Sequence, residues 1–73
     1  MNARPVKRSL TLRGHRTSVS LEDAFWVEFQ RLAEARGLSV NALAAEIDTG
    51  RGLTSGLASA IRVFVLAEVK AGR

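Results

Sequence analysis

Hydrophobic and polar residues follow two different periods along this chain. From Arg8 to Leu21 apolar and polar side chains alternate, whereas after Leu21 the apolar residues recur at intervals of three and four. Alternation places every second side chain on one face of a β-strand, and the longer spacing is typical of an amphipathic helix. The pattern therefore predicts a mostly α fold with a short N-terminal β-ribbon.

The alternating segment predicts two strands, over about 8–13 and 16–20, joined by a Gly-His dipeptide. A two-residue loop that begins with Gly favours a hairpin with a type II′ turn. In the register that this turn gives, Arg13 faces Arg16. Two like charges at directly opposed positions are unfavourable unless an anion lies between them, so this pair is a first indication of an anionic partner.

The first two helices are predicted over about 21–36 and 39–49. Ser20 is expected to cap the first helix, and Gly37 follows its end as a residue that adopts the left-handed conformation. Ser39 precedes the second helix as its N-cap.

A third helix is predicted over about 55–70, capped by Thr54 or Ser55. Its apolar residues cover most of the helix circumference, so more than one side must be buried. A single protomer of 73 residues is not expected to supply that much cover. We therefore assign this helix to the stabilisation of a dimer.

The length predicts a single domain over 8–73, preceded by a mobile basic arm over 1–7. A core of that size is marginal without additional stabilisation. The chain has no Cys and one His, which excludes disulfides and argues against a structural metal. A second copy is the remaining means of stabilisation, and we expect a homodimer.

Positive charge is concentrated at the N-terminal end. Residues 1–21 contain five basic side chains and no acidic one, whereas the rest of the chain holds six basic and all seven acidic residues. A basic segment on an otherwise balanced domain is the pattern expected of a nucleic-acid-binding protein, because bound phosphates release their counterions. A solvated basic tail is the alternative interpretation.

The sequence also argues against several classes of function. One His, no Cys and scattered carboxylates are a poor inventory for an enzyme. No glycine-rich phosphate loop or polar ligand pocket is predicted, so we expect no cofactor and no small-molecule ligand. The most apolar stretch, 57–69, has 13 residues, which is too short to span a membrane, and no targeting signal is visible. We expect a cytoplasmic protein that does not bind membranes.

The order of these features resembles the ribbon-helix-helix family of Arc/MetJ/CopG-type DNA-binding proteins. The resemblance covers residues 16–47, and it is carried by the string R-T-S-V-S-L-E, by the face of Phe25, Phe29 and Leu32, and by the string G-L-S-V-N. It implies an intertwined homodimer with an added C-terminal helix. One strand from each subunit would pair into an antiparallel ribbon that enters the major groove of double-stranded DNA.

The resemblance also implies which residues contact DNA. Three outward-facing residues of the second strand would read bases: Arg16, Ser18 and Ser20. Additional DNA contacts are expected from Thr11, Arg13 and His15. Phosphate contacts are expected from the start of the second helix and from the basic arm: Ser39, Val40, Asn41, Arg4, Lys7 and Arg8. Arg16 is expected to bind a guanine, because a guanidinium can donate two hydrogen bonds to O6 and N7.

The dimer core is expected to contain eight apolar residues: Val19, Leu21, Phe25, Phe29, Leu43, Ile47, Ile61 and Phe64. The extra strand over 8–13 leaves two arrangements open. It would either widen the ribbon to a four-stranded sheet or form the ribbon itself, with Ser9, Thr11 and Arg13 as readers. The second strand is the preferred ribbon because it leads directly into the first helix.

The predicted function is sequence-specific binding of double-stranded DNA by a transcriptional repressor. Two alternatives remain open: an antitoxin that also binds its own promoter, and a protein-binding dimer with no DNA role. Many antitoxins of this family bind the toxin through a C-terminal tail, and this chain ends shortly after the third helix, which disfavours that alternative. Further association of dimers on DNA is left open.

Overall fold

A computed structural model describes residues 3–51 and 56–73. It contains five elements in chain order: β1 (Val6–Leu12), β2 (His15–Leu21), α1 (Asp23–Ala35), α2 (Val40–Gly50) and α3 (Leu57–Lys70). The predicted mostly α fold, with an N-terminal β-ribbon and an added C-terminal helix, is confirmed. Val6 and Lys7 belong to β1, so the boundary predicted between arm and domain is corrected.

The two strands pair antiparallel through a turn at Arg13 and Gly14, where φ is 50° and 83°. The predicted Gly-His turn is therefore wrong, and the pairing moves by two residues, with Leu12 opposite His15. Positive φ at both central positions is the geometry of a type I′ turn, whose twist matches that of the flanking strands. Because the shift is two residues, every side chain keeps its predicted face, but Arg13 no longer opposes Arg16.

The core lies between the inner face of the hairpin and the three helices. The strands contribute four buried residues: Leu10, Leu12, Val19 and Leu21. The helices contribute seven: Phe29, Leu32, Ala33, Leu43, Ala44, Ile61 and Val65. All eleven belong to one cluster, so a single chain forms a continuous core.

The residues predicted to form a dimer core pack inside one protomer. Five are buried: Val19, Leu21, Phe29, Leu43 and Ile61. Three are partly buried against the same cluster: Phe25, Ile47 and Phe64. In the protomer α3 packs against both α1 and α2 and contributes to this burial, and the role of these residues in a dimer stays a prediction.

The helix ends match the predictions unequally. Ser39 caps α2 as predicted, since its hydroxyl accepts a hydrogen bond from the Ala42 N–H at 3.0 Å. Gly37 has the predicted left-handed conformation, with φ of 70°. Ser20 does not cap α1, because it remains in β2 and Glu22 occupies the N-cap position.

Gly56 precedes α3 as its N-cap residue. The predicted caps Thr54 and Ser55 lie outside the described residues. Near the other end of α3, Glu68 is buried and forms ion pairs with Arg36 and Arg73. This carboxylate attaches α3 to the end of α1. Within the described ranges, no helix is both long enough and apolar enough to cross a membrane.

Candidate nucleic-acid interface

The outer face of the hairpin is polar and exposed. Three opposed pairs form it: Lys7 with Ser20, Ser9 with Ser18, and Thr11 with Arg16. All six side chains are exposed, and neither strand contains an acidic residue. The face therefore carries four hydroxyl groups and two cations, and the cations, Lys7 and Arg16, lie on different strands at opposite ends.

This composition suits recognition of a nucleic acid through the edges of its bases. A two-stranded ribbon is narrow enough for the major groove of B-DNA, which is about 12 Å wide. Guanidinium and hydroxyl groups supply the donors and acceptors that read base edges there. The structure brings the predicted readers Arg16, Ser18 and Ser20 together on this face, with Thr11 directly beside Arg16.

Arg8 points the other way, and its predicted phosphate contact is corrected. Its Nη2 lies 2.5 Å from Asp23 Oδ1 and 3.4 Å from the Leu21 carbonyl oxygen, and its guanidinium lies 5.3 Å from the centre of the Trp26 ring. Only 18% of the side chain is exposed. The alternation explains this orientation, because Arg8 lies two residues before the buried Leu10 in the same strand, and residues two apart share a face.

Arg13 and His15 also lie away from the outer face. Arg13 is in the turn and donates to the Ala45 carbonyl oxygen at 2.8 Å and to the Thr49 hydroxyl, near the C-terminal end of α2. A guanidinium at a helix C-terminus also interacts favourably with the helix dipole. His15 is opposite Leu12, so its side chain belongs to the inner face of the hairpin. It is nevertheless exposed, at the end of the sheet. Of the three residues predicted to make additional DNA contacts, Thr11 is the one that lies on the outer face.

The N-terminus of α2 is attached to β1. The Thr11 N–H donates to Asn41 Oδ1 at 3.0 Å, so the Asn41 side chain already has a partner in the sheet. The Ser39 hydroxyl is likewise occupied as a cap. What remains for an anion in this first turn is the backbone N–H of Val40 and Asn41. Sequence reasoning did not find this contact, since no local pattern links a strand residue to a helix 30 positions later.

Arg62 of α3 forms hydrogen bonds at the C-terminal end of β2. Its Nη2 donates to the Ser20 carbonyl oxygen at 3.1 Å, and its Nε donates to Glu22 Oε1 at 2.9 Å. The hydrogen bond from Arg62, followed by one from the backbone, lowers the pKa of Glu22 below its usual value. No local pattern in the sequence links Arg62 to a strand residue 42 positions earlier.

The two edges of the hairpin differ in what they offer. A two-residue turn closes on a hydrogen-bonded pair, and such pairs alternate along the strands. The backbone N–H and C=O groups of Arg16, Ser18 and Ser20 consequently point away from β1. On the opposite edge, those of Thr11 point toward α2, where Asn41 takes the N–H. The edge of β1 therefore has one N–H occupied by Asn41, and the edge of β2 has one carbonyl oxygen occupied by Arg62.

No three His, Asp or Glu side chains gather into a possible metal site in the part of the chain that the structure describes.

No curated protein and no solved structure matches the chain. A family model described as a ribbon-helix-helix domain matches residues 5–69, a range that starts just before β1 and ends in the last turn of α3. The chain therefore belongs to the ribbon-helix-helix family.

Proposed function

We propose that this chain is a homodimeric transcription regulator that represses by binding double-stranded DNA sequence-specifically, with the outer face of its ribbon in the major groove. The observation that carries the proposal is this face, on which four hydroxyls and two cations are exposed while the apolar residues of both strands turn inward. Membership in a family of DNA-binding domains supports it.

The dimer forms through β2. A backbone N–H donates to one acceptor, so Thr11 has no N–H left for a second copy. A carbonyl oxygen accepts two hydrogen bonds, so Ser20 can receive Arg62 and still pair with another strand. These contacts favour an antiparallel β2–β2 pair at the centre of a four-stranded sheet, with β1 on each flank.

This pairing sets the spacing of the base contacts. With the two-fold axis at Ser18, Arg16 of one copy lies opposite Ser20 of the other. The two Arg16 residues are then offset by four strand positions, or about 13 Å at the rise of a β-strand. That distance is the rise of about four base pairs. The expected operator is a palindrome whose two guanines lie about that far apart.

The flanks of the sheet position the protein on the DNA backbone. Lys7 lies on the outer face of β1, and Arg4 is exposed just before that strand. The free backbone N–H groups at Val40 and Asn41 supply a phosphate site at a helix N-terminus. Contacts of this kind fix the orientation of the protein and carry no sequence information.

Selection of bound fragments from a random duplex pool would identify the site and test the proposal. On that site, Arg16→Ala should weaken binding by about 1–3 kcal/mol and relax the choice of one base pair in each half. Ser9→Ala is the matched control on the flanking strand and should change sequence choice little. If no sequence is enriched and affinity does not fall as salt rises, the alternative of a protein-binding dimer without a DNA role replaces this function.

A further inference from the structure

We infer that two arginines, Arg8 and Arg62, form a clamp that fixes the junction between β2 and α1 and so sets the position of the base-reading strand. Both act as positioning residues, and neither contacts DNA. The inference rests on the proposed function, because the position of β2 matters for recognition only if its outer face reads bases.

Arg8 reaches the junction from β1. Its Nη2 donates to Asp23 Oδ1 at 2.5 Å and to the Leu21 carbonyl oxygen at 3.4 Å. Its guanidinium also lies over the ring of Trp26, which follows Asp23 by one helical turn. One side chain therefore joins the last residue of β2 to the first turn of α1.

Arg62 reaches the same junction from α3 and repeats this arrangement. It donates to the Ser20 carbonyl oxygen at 3.1 Å and to Glu22 Oε1 at 2.9 Å. Its guanidinium lies 5.9 Å from the centre of the Phe25 ring, within the range of a cation–π interaction. The junction is therefore held by two guanidinium groups, each with a carboxylate, a strand carbonyl oxygen and an aromatic ring.

The start of α1 has no side-chain cap that could fix the junction instead. Glu22 occupies the N-cap position, and its side chain makes no cap hydrogen bond. A cap or a hydrophobic staple is the usual means of fixing the angle at which a chain enters a helix. A guanidinium is suited to the same task, because its planar fork donates to two acceptors in fixed directions.

Arg8 is a costly residue for its position. It faces inward on β1, two residues before the buried Leu10, and its buried Nε has no hydrogen-bond partner among the residues that the structure describes. A buried donor without an acceptor costs free energy, and an apolar side chain would follow the strand alternation without that cost. Maximal stability therefore does not explain an arginine here, whereas a directional attachment of the hairpin to α1 does.

The clamp lies next to the face that is proposed to read DNA. Ser20 carries a predicted base-reading hydroxyl, and Arg62 binds the carbonyl oxygen of the same residue. Apolar packing has no preferred direction, so by itself it would allow this end of the hairpin to shift over the helices. A shift moves the Ser20 hydroxyl relative to a base edge, and hydrogen bonds weaken steeply as their geometry departs from the ideal.

Arg8→Lys distinguishes the clamp from a direct phosphate contact. Lysine keeps the charge but lacks the planar fork. Arg8→Lys and Arg8→Met should both weaken binding to the selected operator about tenfold, while the affinity for a random duplex and the salt dependence stay unchanged. Arg31→Met is the matched control, because it removes an exposed guanidinium that pairs with Glu28 within α1. It should leave operator affinity within about twofold.

Hydrogen exchange of backbone amides provides a second measurement that needs no DNA. Arg8→Met and Arg62→Met should each speed exchange at Leu21 by at least about fivefold, with a smaller change at Leu43 in the core of α2. An equal increase at both amides would indicate a general loss of stability and would overturn the clamp. If Arg8→Met does not fold, Arg8→Lys supplies both measurements.

The outcomes separate this inference from the proposed function. Wild-type operator affinity in Arg8→Lys, together with a weaker salt dependence in Arg8→Met, would overturn the clamp in favour of a phosphate contact. Unchanged exchange at Leu21 would also overturn it, whatever the result with DNA. If the wild-type chain selects no operator, the proposed function fails, and faster exchange at Leu21 would still support the clamp at the junction.

Discussion

The two strands of the hairpin are alike in sequence pattern and differ in what holds their edges. Each has seven residues, alternates between apolar and polar positions and places three polar side chains on the outer face. β1 is fastened to α2 through Thr11, and the turn that follows it is fastened to the other end of α2 through Arg13. On β2 the contact is made by Arg62 at one carbonyl oxygen.

This difference separates a supporting strand from a pairing strand. A strand with one outward N–H taken by a neighbouring helix is partly protected from further pairing, as edge strands in soluble proteins usually are. A strand with a more open edge is suited to receive another chain. In the proposed dimer the two roles follow from helices that come later in the sequence, and not from the strands themselves.

The largest expected effect is on the dimer dissociation constant. It is tested by deleting one backbone N–H from the edge of β2 and, as a control, one from the edge of β1. Ser18→Pro deletes the N–H at the proposed two-fold axis, twice per dimer, and should raise the dimer dissociation constant by about 100-fold. Ser9→Pro makes the same change directly opposite, on β1, and should have a much smaller effect. Sedimentation equilibrium gives both constants. An effect of Ser9→Pro equal to or larger than that of Ser18→Pro would make β1 the pairing strand.

A smaller effect is expected on folding when the attachment of the turn is removed. Arg13→Ala loses the hydrogen bonds to the end of α2 and should lower the free energy of unfolding by about 1 kcal/mol. Arg16→Ala deletes the same side chain from the exposed outer face of β2 and should change it by less than about 0.5 kcal/mol. Urea titrations measure the difference. Equal losses would show that the turn is not held by α2.

The flanking position of Lys7 predicts a modest effect that is independent of sequence. Lys7→Ala should weaken binding to all duplexes alike and reduce the slope of log affinity against log salt by about one for each protomer. Lys70→Ala removes the same charge from the end of α3 and serves as the control. Fluorescence titrations at several salt concentrations measure both slopes. A loss confined to the selected operator would place Lys7 among the base-reading residues.

The smallest effect concerns Glu22, which follows β2 and is paired with Arg62. Because the pKa of Glu22 is lowered in the folded chain, the unfolded chain binds more protons near the usual carboxyl value of 4.5. The contribution of Glu22 to stability is therefore fully present above that pH and is lost as the pH falls through the folded-state pKa. Glu22→Gln should lack this part of the pH dependence in thermal melts. An identical acid profile for both proteins would show that the pair with Arg62 does not contribute.

The sequence was sufficient for what depends on local periodicity. Alternation identified the inward and outward faces of both strands, and the Ser39 cap and the Gly37 end were visible as single residues. The same alternation indicates that Arg8 faces inward. The concentration of positive charge at the N-terminus favoured a phosphate contact for Arg8 instead.

What the sequence could not supply depends on contacts between distant positions. The turn is centred on Arg13 and Gly14, where Arg13 takes a positive φ and its side chain is held by residues of α2. No local preference identifies that arrangement, because Gly-His is an equally acceptable loop. The contacts of Asn41 with Thr11 and of Arg62 with Ser20 likewise join segments separated by 30 and 42 positions.

Under the proposed function, the hydrogen bond between Thr11 and Asn41 limits the shape of DNA that this protein can bind. It fixes the distance between the outer face of the ribbon and the first turn of α2. If the ribbon contacts base edges while that turn contacts a phosphate, the two contacts cannot adjust separately. Duplexes that widen or compress the groove would then bind less tightly, and flanking base pairs that no side chain touches would influence where the protein binds.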